Sequence, residues 1–465
     1  MLNFTTINSK NIKKICQAYR YCDYRISDYS LGMKLMWKNY LHPEVAFSNG
    51  CVIVKNNFKG ATRFDYPLPC EEDSDIEGAL SQIEHYCMEH YIPMIFCAVP
   101  ESQLSTLASR YRSLQTESSV FDDDYIYRAD DLSQFAGKHY SGQRNHINRF
   151  RNTYPEAEWH ILTETDIPLL QRFFERFSYN SAQKSKEAAA ELKYAINLLL
   201  KKNLFWACAG CMKYHGEIIS VSLGEICGDT MIIHIEKALH EYEGIYPATV
   251  QAFTSCFCNG VRYINREEDA GDRGLRRSKL QYRPKFMLRK YNVYVHTELN
   301  VWNTIPEIST THLTLSAIDE TDKTSYNHLC LDDERNRYWG YDYRLDCPCP
   351  DENYFINVTK EDFQSKTAVN WGIHSDGKFI GEILLYDFDY HGGAQVGIRL
   401  LKGYEGKGFA REALEAVINE GLYSLRLSVI HAKCYLENTK SLKLLSSCMP
   451  KSGKDDTYVY FESRI

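Results

Sequence analysis

Two stretches of this chain repeat one succession of local signals. In the first, β-type runs at Leu204–Met212, Glu217–Glu225 and Thr230–Ala238, with a turn-like Tyr214–Glu217 between the first two, lead into a helical run at Ala248–Asn259. In the second, Ala368–His374, the turn Ser375–Lys378, Phe379–Asp387 and Ala394–Leu400 lead into a helix through Ala410–Gly421. The loops before the two helices align residue for residue, Tyr242-Glu243-Gly244-Ile245-Tyr246-Pro247-Ala248 against Tyr404-Glu405-Gly406-Lys407-Gly408-Phe409-Ala410. One scaffold used twice predicts an α/β chain with α+β mixed sheets. A third unit of the same class precedes them, in which helical runs Asn11–Tyr19 and Ile76–His90 alternate with apolar strands Val52–Lys55 and Met94–Val99. Further helices are expected at Ile167–Phe177 and Ala188–Leu200.

A length of 465 residues fits this count of two or three units. The expected boundaries are 1–130, 131–298 and 305–465, with a linker over Val293–Glu307 where Asn300, Asn303 and Pro306 interrupt the periodicity. At 44% hydrophobic and 25% charged residues the chain is too apolar for intrinsic disorder. The net charge of -7 lies entirely in residues 301–465, which hold 18 Lys and Arg against 25 Asp and Glu; residues 1–300 are neutral. Such asymmetry bears on partners rather than on fold. An acidic surplus suits a cationic, amine-bearing acceptor, and a merely solvated acidic surface accounts for it equally.

The 16 cysteines are scattered, and the chain starts without a basic and then apolar leader, so reduced thiols and a cytoplasmic location are expected. The longest apolar run, Tyr91–Val99, is too short and too broken to cross a bilayer. Cys208 and Cys211 fall in a strand, where positions three apart point to opposite faces, so no redox or zinc role is expected. Cys256/Cys258 and Cys347/Cys349 lack a matching second pair, and no metal site is expected.

A loop that opens a helix presents free backbone N–H groups and the positive end of the helix dipole, which together seat phosphate. Gly406 and Gly408 leave the approach clear, and Lys407 adds charge. The strand Val396–Leu401 precedes this loop, and Arg411-Glu412-Ala413-Leu414 continues it as a helix. The segment Gly397–Leu414 resembles the acyl-CoA-binding motif of the GNAT acetyltransferase superfamily, Q/R-x-x-G-x-G/A, with Glu405 in the place of the leading Gln or Arg. Asn438-Thr439-Lys440-Ser441, followed by Leu444, resembles the N-x-x-S-x-x-L segment of the branch that acetylates ribosomal-protein and other amino termini. Tyr338-Trp339-Gly340 and Thr310–Ile318 are similar to that branch as well.

The resemblance, which spans about 305–465, implies acetyl-CoA or another acyl-CoA as donor. It would be held by Ile398, Leu400, Glu405, Gly406, Lys407, Gly408, Phe409, Ala410 and Asn438. It also implies direct attack of an amine on the thioester, with a base for the amine proton and an acid for the thiolate. Where many members place an acidic Tyr this chain has Leu445, and Ser441 is the substitute. Glu382 is the named base, although a surface carboxylate is the favoured plain reading of it, with Asp387 and Asp389 as comparable choices.

In the N-terminal part, Gly142-Gln143-Arg144-Asn145-His146-Ile147-Asn148-Arg149-Phe150 and the run from Ile264 to Lys279 stand out. Both are similar to motifs of a bacterial family that resembles the catalytic C-terminal domain of phosphatidylglycerol lysyltransferases. That likeness spans about 10–295 and implies two GNAT-like subdomains that move an amino acid from aminoacyl-tRNA to an acceptor amine or hydroxyl. Arg144, Asn145, Asp272, Arg273, Arg276, Arg277 and Lys279 are the expected substrate or anion site. Eight cations between Gly271 and Lys290, against the single acid Asp272, suit RNA phosphates or a lipid headgroup, or form a face salt-bridged to Glu267, Glu268 and Asp269. Tyr246 and Pro247 replace Gly408 and Phe409 of the later copy and would spoil a diphosphate cradle there. The large membrane portion of characterised lysyltransferases has no counterpart here, which disfavours a lipid acceptor.

Three functions follow from these readings. The last unit transfers acyl groups from acyl-CoA to a small-molecule or peptide amine, with 1–298 recognising the acceptor or supplying a second transfer. Alternatively 1–298 is an aminoacyl-tRNA-dependent transferase with an accessory acetyltransferase unit, or a non-catalytic module that delivers RNA or protein to it. No feature points to DNA.

Overall fold

The computed structural model describes residues 2–20, 22–179, 192–197 and 207–464. The helix expected at Ala188–Leu200 lies largely outside these residues, as does the start of the strand expected at Leu204–Met212. The described strands form three mixed sheets, the α/β architecture expected from the repeated pattern. The chain divides into two compact units: Met1–Tyr86 with Met94–Ser105 and Thr116–Tyr294, and Val295–Ile465 with Cys87–Pro93 and Thr106–Gln115.

The sheet of the second unit runs in the order Ile308–Ser309, Thr314–Ala317, Ala368–Ser375, Lys378–Tyr386, Gly393–Leu400, Val429–Tyr435, Tyr458–Arg464, Lys451–Lys454. Alternation along its strands sends Val369, Trp371 and Ile373, with Ile383 and Leu385, into one core. The helix Phe409–Asn419 closes that core with Ala413, Leu414, Val417 and Ile418, a stripe at helical spacing. A π-helical turn, Glu420–Ser424, carries the helix on. Gly421 lies there because a Cβ would come within 2.7 Å of Ile430. Each buried Leu or Ile contributes about 2 kcal/mol of transfer free energy, so this face alone fixes the helix, and the loop before it, against the sheet.

The first unit carries the other two sheets. One includes Glu44–Ser48, Cys51–Phe58, Ala61–Asp65 and Met94–Pro100. The other runs Phe286–Leu288, Asp124–Arg128, Tyr263–Asn265, Thr230–Ala238, Glu217–Cys227, Ala207–Tyr214, Glu158–Ile161. The strand Asp124–Arg128, on the N-terminal side of the expected boundary at 130, pairs inside the second of these, whereas Lys290–Val295 lies in the first. The two sheets thus exchange strands, which local periodicity does not reveal because it signals a strand without naming its neighbour. Cys208 neighbours Cys256 and Cys258, while Cys211 faces Lys213 and Asp166, so the two sulfurs diverge.

Candidate functional site

In the second unit the strand Gly393–Leu400 passes through Gly403, Gly406 and Gly408, at φ +92°, +73° and +90°, before the helix Phe409–Asn419 begins. A Cβ on any of the three would meet nothing within 4 Å, so the backbone conformation, and not packing, requires glycine. Gly408 is the residue before the first helical turn and has no side chain to cap it. Glu405 and Gly406 form a turn that the Lys407 amide closes toward the Tyr404 carbonyl, while among the described residues the amides of Gly406 and of Gly408 through Arg411 find no acceptor. The last four of these lie at the positive end of a helix dipole.

The same strand forms one arm of a wedge. Gly393–Leu400 and Val429–Tyr435 pair in parallel at three positions only, Gly393 with Val429, Ala394 with Ile430 and Gln395 with His431. Beyond them each strand keeps its antiparallel neighbour on the outer side alone. An edge thus opens inside the sheet, with Ile398 and Leu400 on one arm, and an extended ligand can add to it by main-chain hydrogen bonds.

The residues named from the sequence take distinct places around this wedge. Asn438 caps the helix Thr439–Cys448, its Oδ1 accepting from the Ser441 amide at 3.2 Å. The Ser441 hydroxyl lies on the Cys434 thiol, which burial pushes up to about 11 against that contact. Glu382 is not at the surface: it is 1% exposed and accepts from Tyr326 Oη at 2.7 Å, Asn370 Nδ2 at 2.8 Å and Arg399 Nε at 2.8 Å. Arg399 packs on the Trp339 ring at 4.2 Å, and Gly397 leaves that indole room. Burial opposes the Arg399 charge, and Glu382 more than restores it.

Asp387 accepts from Gln395 Nε2 at 2.9 Å, at the point of the wedge where pairing ends. Burial raises its carboxyl while Lys433 opposes. Asp389 is spent on its own turn, accepting from the amides of His391 and Gly393 at 2.8 and 2.7 Å. Glu405 pairs with Arg335 and with Lys440. Burial opposes its charge, and the two cations outweigh it and hold the carboxyl below its ordinary range. Sequence reasoning missed Arg335 and Arg399; the carboxylates they serve were named, and an unexplained acid in an apolar strand is the signal that asks for a cation.

The middle copy of the scaffold looks alike and is closed. Thr230–Ala238 and Tyr263–Asn265 also pair in parallel at three positions before diverging. Here ion pairs bridge the wedge: His234 Nδ1 lies 2.7 Å from Glu267 Oε1, and Arg266 pairs with Glu236. His234 Nε2 is 2.9 Å from Glu225 Oε1. Burial opposes a proton on this ring, and the two carboxylates overcome it, lifting His234 to about 9. Gly244 opens the helix Ile245–Phe257 at φ +86°, where a Cβ would come within 2.3 Å of the His146 carbonyl oxygen.

Of the expected anion site, several members serve the fold. Arg144 donates to the carbonyls of Phe135 and Gly137, and Asp272 caps the helix Arg273–Gln281 through the Leu275 amide at 2.8 Å. Arg276 holds Asp269 with two bonds of 2.8 and 2.9 Å. Lys279 is buried on the carbonyls of Arg266, Glu267 and Glu268, and burial lowers it to about 8. Lys290 reaches Asp28, Asp124 and Glu268 at 2.9, 3.0 and 3.1 Å. Arg273 and Arg277 remain exposed on one helix face, with no ion-pair partner among the described residues; Asn145 is exposed on the helix Ser141–Thr153.

A helix-opening glycine loop with unpartnered amides, set beside a wedge in a mixed sheet, defines an acyl-group transferase of GNAT type. Residues 312–448 match the acetyltransferase (GNAT) domain, and residues 19–294 match the family described as phosphatidylglycerol lysyltransferase, C-terminal. The chain belongs to that lysyltransferase C-terminal family and carries a GNAT acetyltransferase domain behind it. An uncharacterised protein of Mycoplasmoides gallisepticum is 24% identical over 262 residues, 56% of this chain and 80% of that protein. The uncharacterised N-acetyltransferase p20 of Bacillus licheniformis is 47% identical over 57 residues, 12% of this chain and 32% of that protein. The crystal structure of a conserved protein of unknown function from Bacteroides thetaiotaomicron aligns with a TM-score of 0.59 at 26% identity, covering 63% of this chain and 99% of that one. Among the described residues no helix is long and apolar enough to cross a membrane.

Proposed function

We propose that the second unit transfers an acetyl or related acyl group from acyl-CoA to a primary amine. The observation that carries this reading is the set of amides at Gly406 and from Gly408 to Arg411 with no acceptor among the described residues, beside a wedge whose strand edge is unpaired. Acyl-CoA, when bound, supplies the thioester whose carbonyl the amine attacks. The loop amides, with Lys407, hold its diphosphate, and Phe409 and Ala410 set the helix end against it. The arms bearing Ile398 and Leu400 grip its extended amide-containing chain, and Asn438 holds the facing helix in place. Asp387, at the point of the wedge, receives the amine proton. Glu382, with both oxygens engaged, positions Arg399 and through it Trp339. Ser441 takes the part of the acid for the departing thiolate. Thiol release from acetyl-CoA, measured with a panel of small amines and with peptides, tests this. Release with some acceptor supports it, and none with any acceptor refutes it.

The first unit recognises the acceptor or performs a second transfer, and not from acyl-CoA, because ion pairs bridge its middle wedge and Tyr246 and Pro247 occupy its loop. The unpaired Arg273 and Arg277 favour a polyanion on the helix face they share, which suits tRNA carrying an aminoacyl donor. Release of amino acid from charged tRNA separates a second transferase from a delivery module.

A further inference from the structure

Glu405 sets a carboxylate on the loop to which the proposed function assigns a diphosphate, at the position where the motif has Gln or Arg. An uncompensated like charge that close to a polyanion weakens binding by about an order of magnitude. Two cations answer it from elsewhere in the fold. Arg335, in the short helix Asp333–Asn336, turns Nη1 onto Glu405 Oε1 although its side chain is only 10% exposed. Its Nε is buried and without a partner. Lys440 sets Nζ 3.0 Å from Glu405 Oε2 and is 77% exposed. A lysine in the first turn of a helix, here Thr439–Cys448, faces the positive end of the dipole, so the carboxylate and not the helix accounts for its place.

We propose that Arg335, Glu405 and Lys440 form a compensated phosphate seat. Arg335 neutralises and fixes Glu405 from the buried side, and Lys440, on its exposed stem, leaves the carboxylate for the diphosphate of the bound acyl-CoA. Arg335 Nη2 also meets Glu334 Oε1 at 3.1 Å, so with Glu334 counted the cluster is neutral, and it cancels the loop carboxylate beside the open amides in place of the single cationic or amide side chain of the usual motif. This rests on the acyl-CoA reading of the same loop. It makes Arg335, distant in sequence, a binding determinant, and makes Glu405 the residue whose charge limits affinity.

Calorimetric titration of the full chain with CoA and with 3′-dephospho-CoA tests the seat. Glu405→Gln is expected to bind both about 3- to 10-fold more tightly, and Arg335→Gln about tenfold more weakly, because a bare carboxylate then faces the diphosphate. The double variant Arg335→Gln with Glu405→Gln returns to within about threefold of the parent, and Arg335→Lys, which keeps the charge, does the same. Glu405→Gln binding more weakly, or a double variant that stays about tenfold weaker than the parent, overturns the proposal. So does an effect confined to CoA and lost with 3′-dephospho-CoA, which moves the cluster to the 3′-phosphate. A parent chain that binds neither ligand removes the acyl-CoA reading itself, a different result from a parent that binds while Glu405→Gln loosens. Thermal melting of each variant checks its fold; should Arg335→Gln not fold, Glu405→Gln and Lys440→Gln decide, the latter expected to weaken binding about threefold.

Discussion

The ring of His234 makes the stability of the first unit fall as pH rises. Its two nitrogens lie 2.7 and 2.9 Å from carboxylate oxygens of Glu267 and Glu225, inside a fully buried site. A neutral imidazole has one N–H and satisfies one of them, whereas imidazolium satisfies both. Glu225 Oε1 also accepts from the Gly32 amide at 2.5 Å, and the Tyr194 ring meets the imidazole edge-on. The folded pKa of about 9 lies above the ordinary histidine value of about 6.5. The native state therefore holds a proton that the unfolded chain has lost, and the contribution is complete below the unfolded value and disappears as pH climbs through the folded one. The slope is about 1.4 kcal/mol per pH unit, roughly 3 kcal/mol over the whole window. Lys279, lowered by burial to about 8, runs the opposite way from there toward the ordinary lysine value of about 10.5. The clean interval is thus about pH 6.5 to 8, across which roughly 2 kcal/mol should be lost. Urea titrations across that interval, read by tryptophan fluorescence, measure it, since Trp37 and Trp159 lie in this unit. His234→Gln should be less stable at the acid end and lose the slope. A parent whose stability is flat from pH 6.5 to 8, or a variant that keeps the slope, refutes the reasoning.

Three further outcomes follow from the same kind of accounting. Arg399→Met leaves Glu382 buried beside Tyr326 and Asn370 without its cation, and should destabilise the second unit by about 3 to 5 kcal/mol in urea titration. Gly244→Ala forces a side chain into φ +86° and against the His146 carbonyl, and should cost at least about 2 kcal/mol, read as a lower melting temperature. Replacing Arg273 and Arg277 together by Gln should weaken tRNA binding and reduce the slope of log affinity against log salt by about 1 to 2.

The parts of this molecule that the sequence shows are those where one residue type answers one local demand. Gly406 and Gly408 occupy backbone conformations that other residues rarely adopt, and so the helix-opening glycine loop read from the sequence is where the structure has it. Tyr246 and Pro247 mark the copy that is closed. What the sequence conceals is pairing at a distance. Eight cations near Arg276 read as a patch, yet Lys290 is spent on Asp28 and Asp124, and Lys279 on backbone carbonyls, neither of which a local charge count can see. Glu382 read as a base or a surface acid because its partner Arg399 lies across the strand pair, directly opposite in register, and register is not visible before the sheet is built. The strand Asp124–Arg128 drew no expectation from the sequence, and its membership of the second sheet is hidden for the same reason.

The central claim is that the open amides of the Gly406–Gly408 loop hold acyl-CoA. Calorimetric titration of the full chain with acetyl-CoA, comparing the parent with a Gly406→Ala, Gly408→Val double variant, tests it most directly. At φ +73° and +90° both substitutions displace the loop, while the space around them is empty, so the core should remain folded. One equivalent bound by the parent, and a loss of at least about tenfold in affinity in a folded variant, is the expected result. Equal affinity in the two proteins, or no binding by the parent, contradicts it.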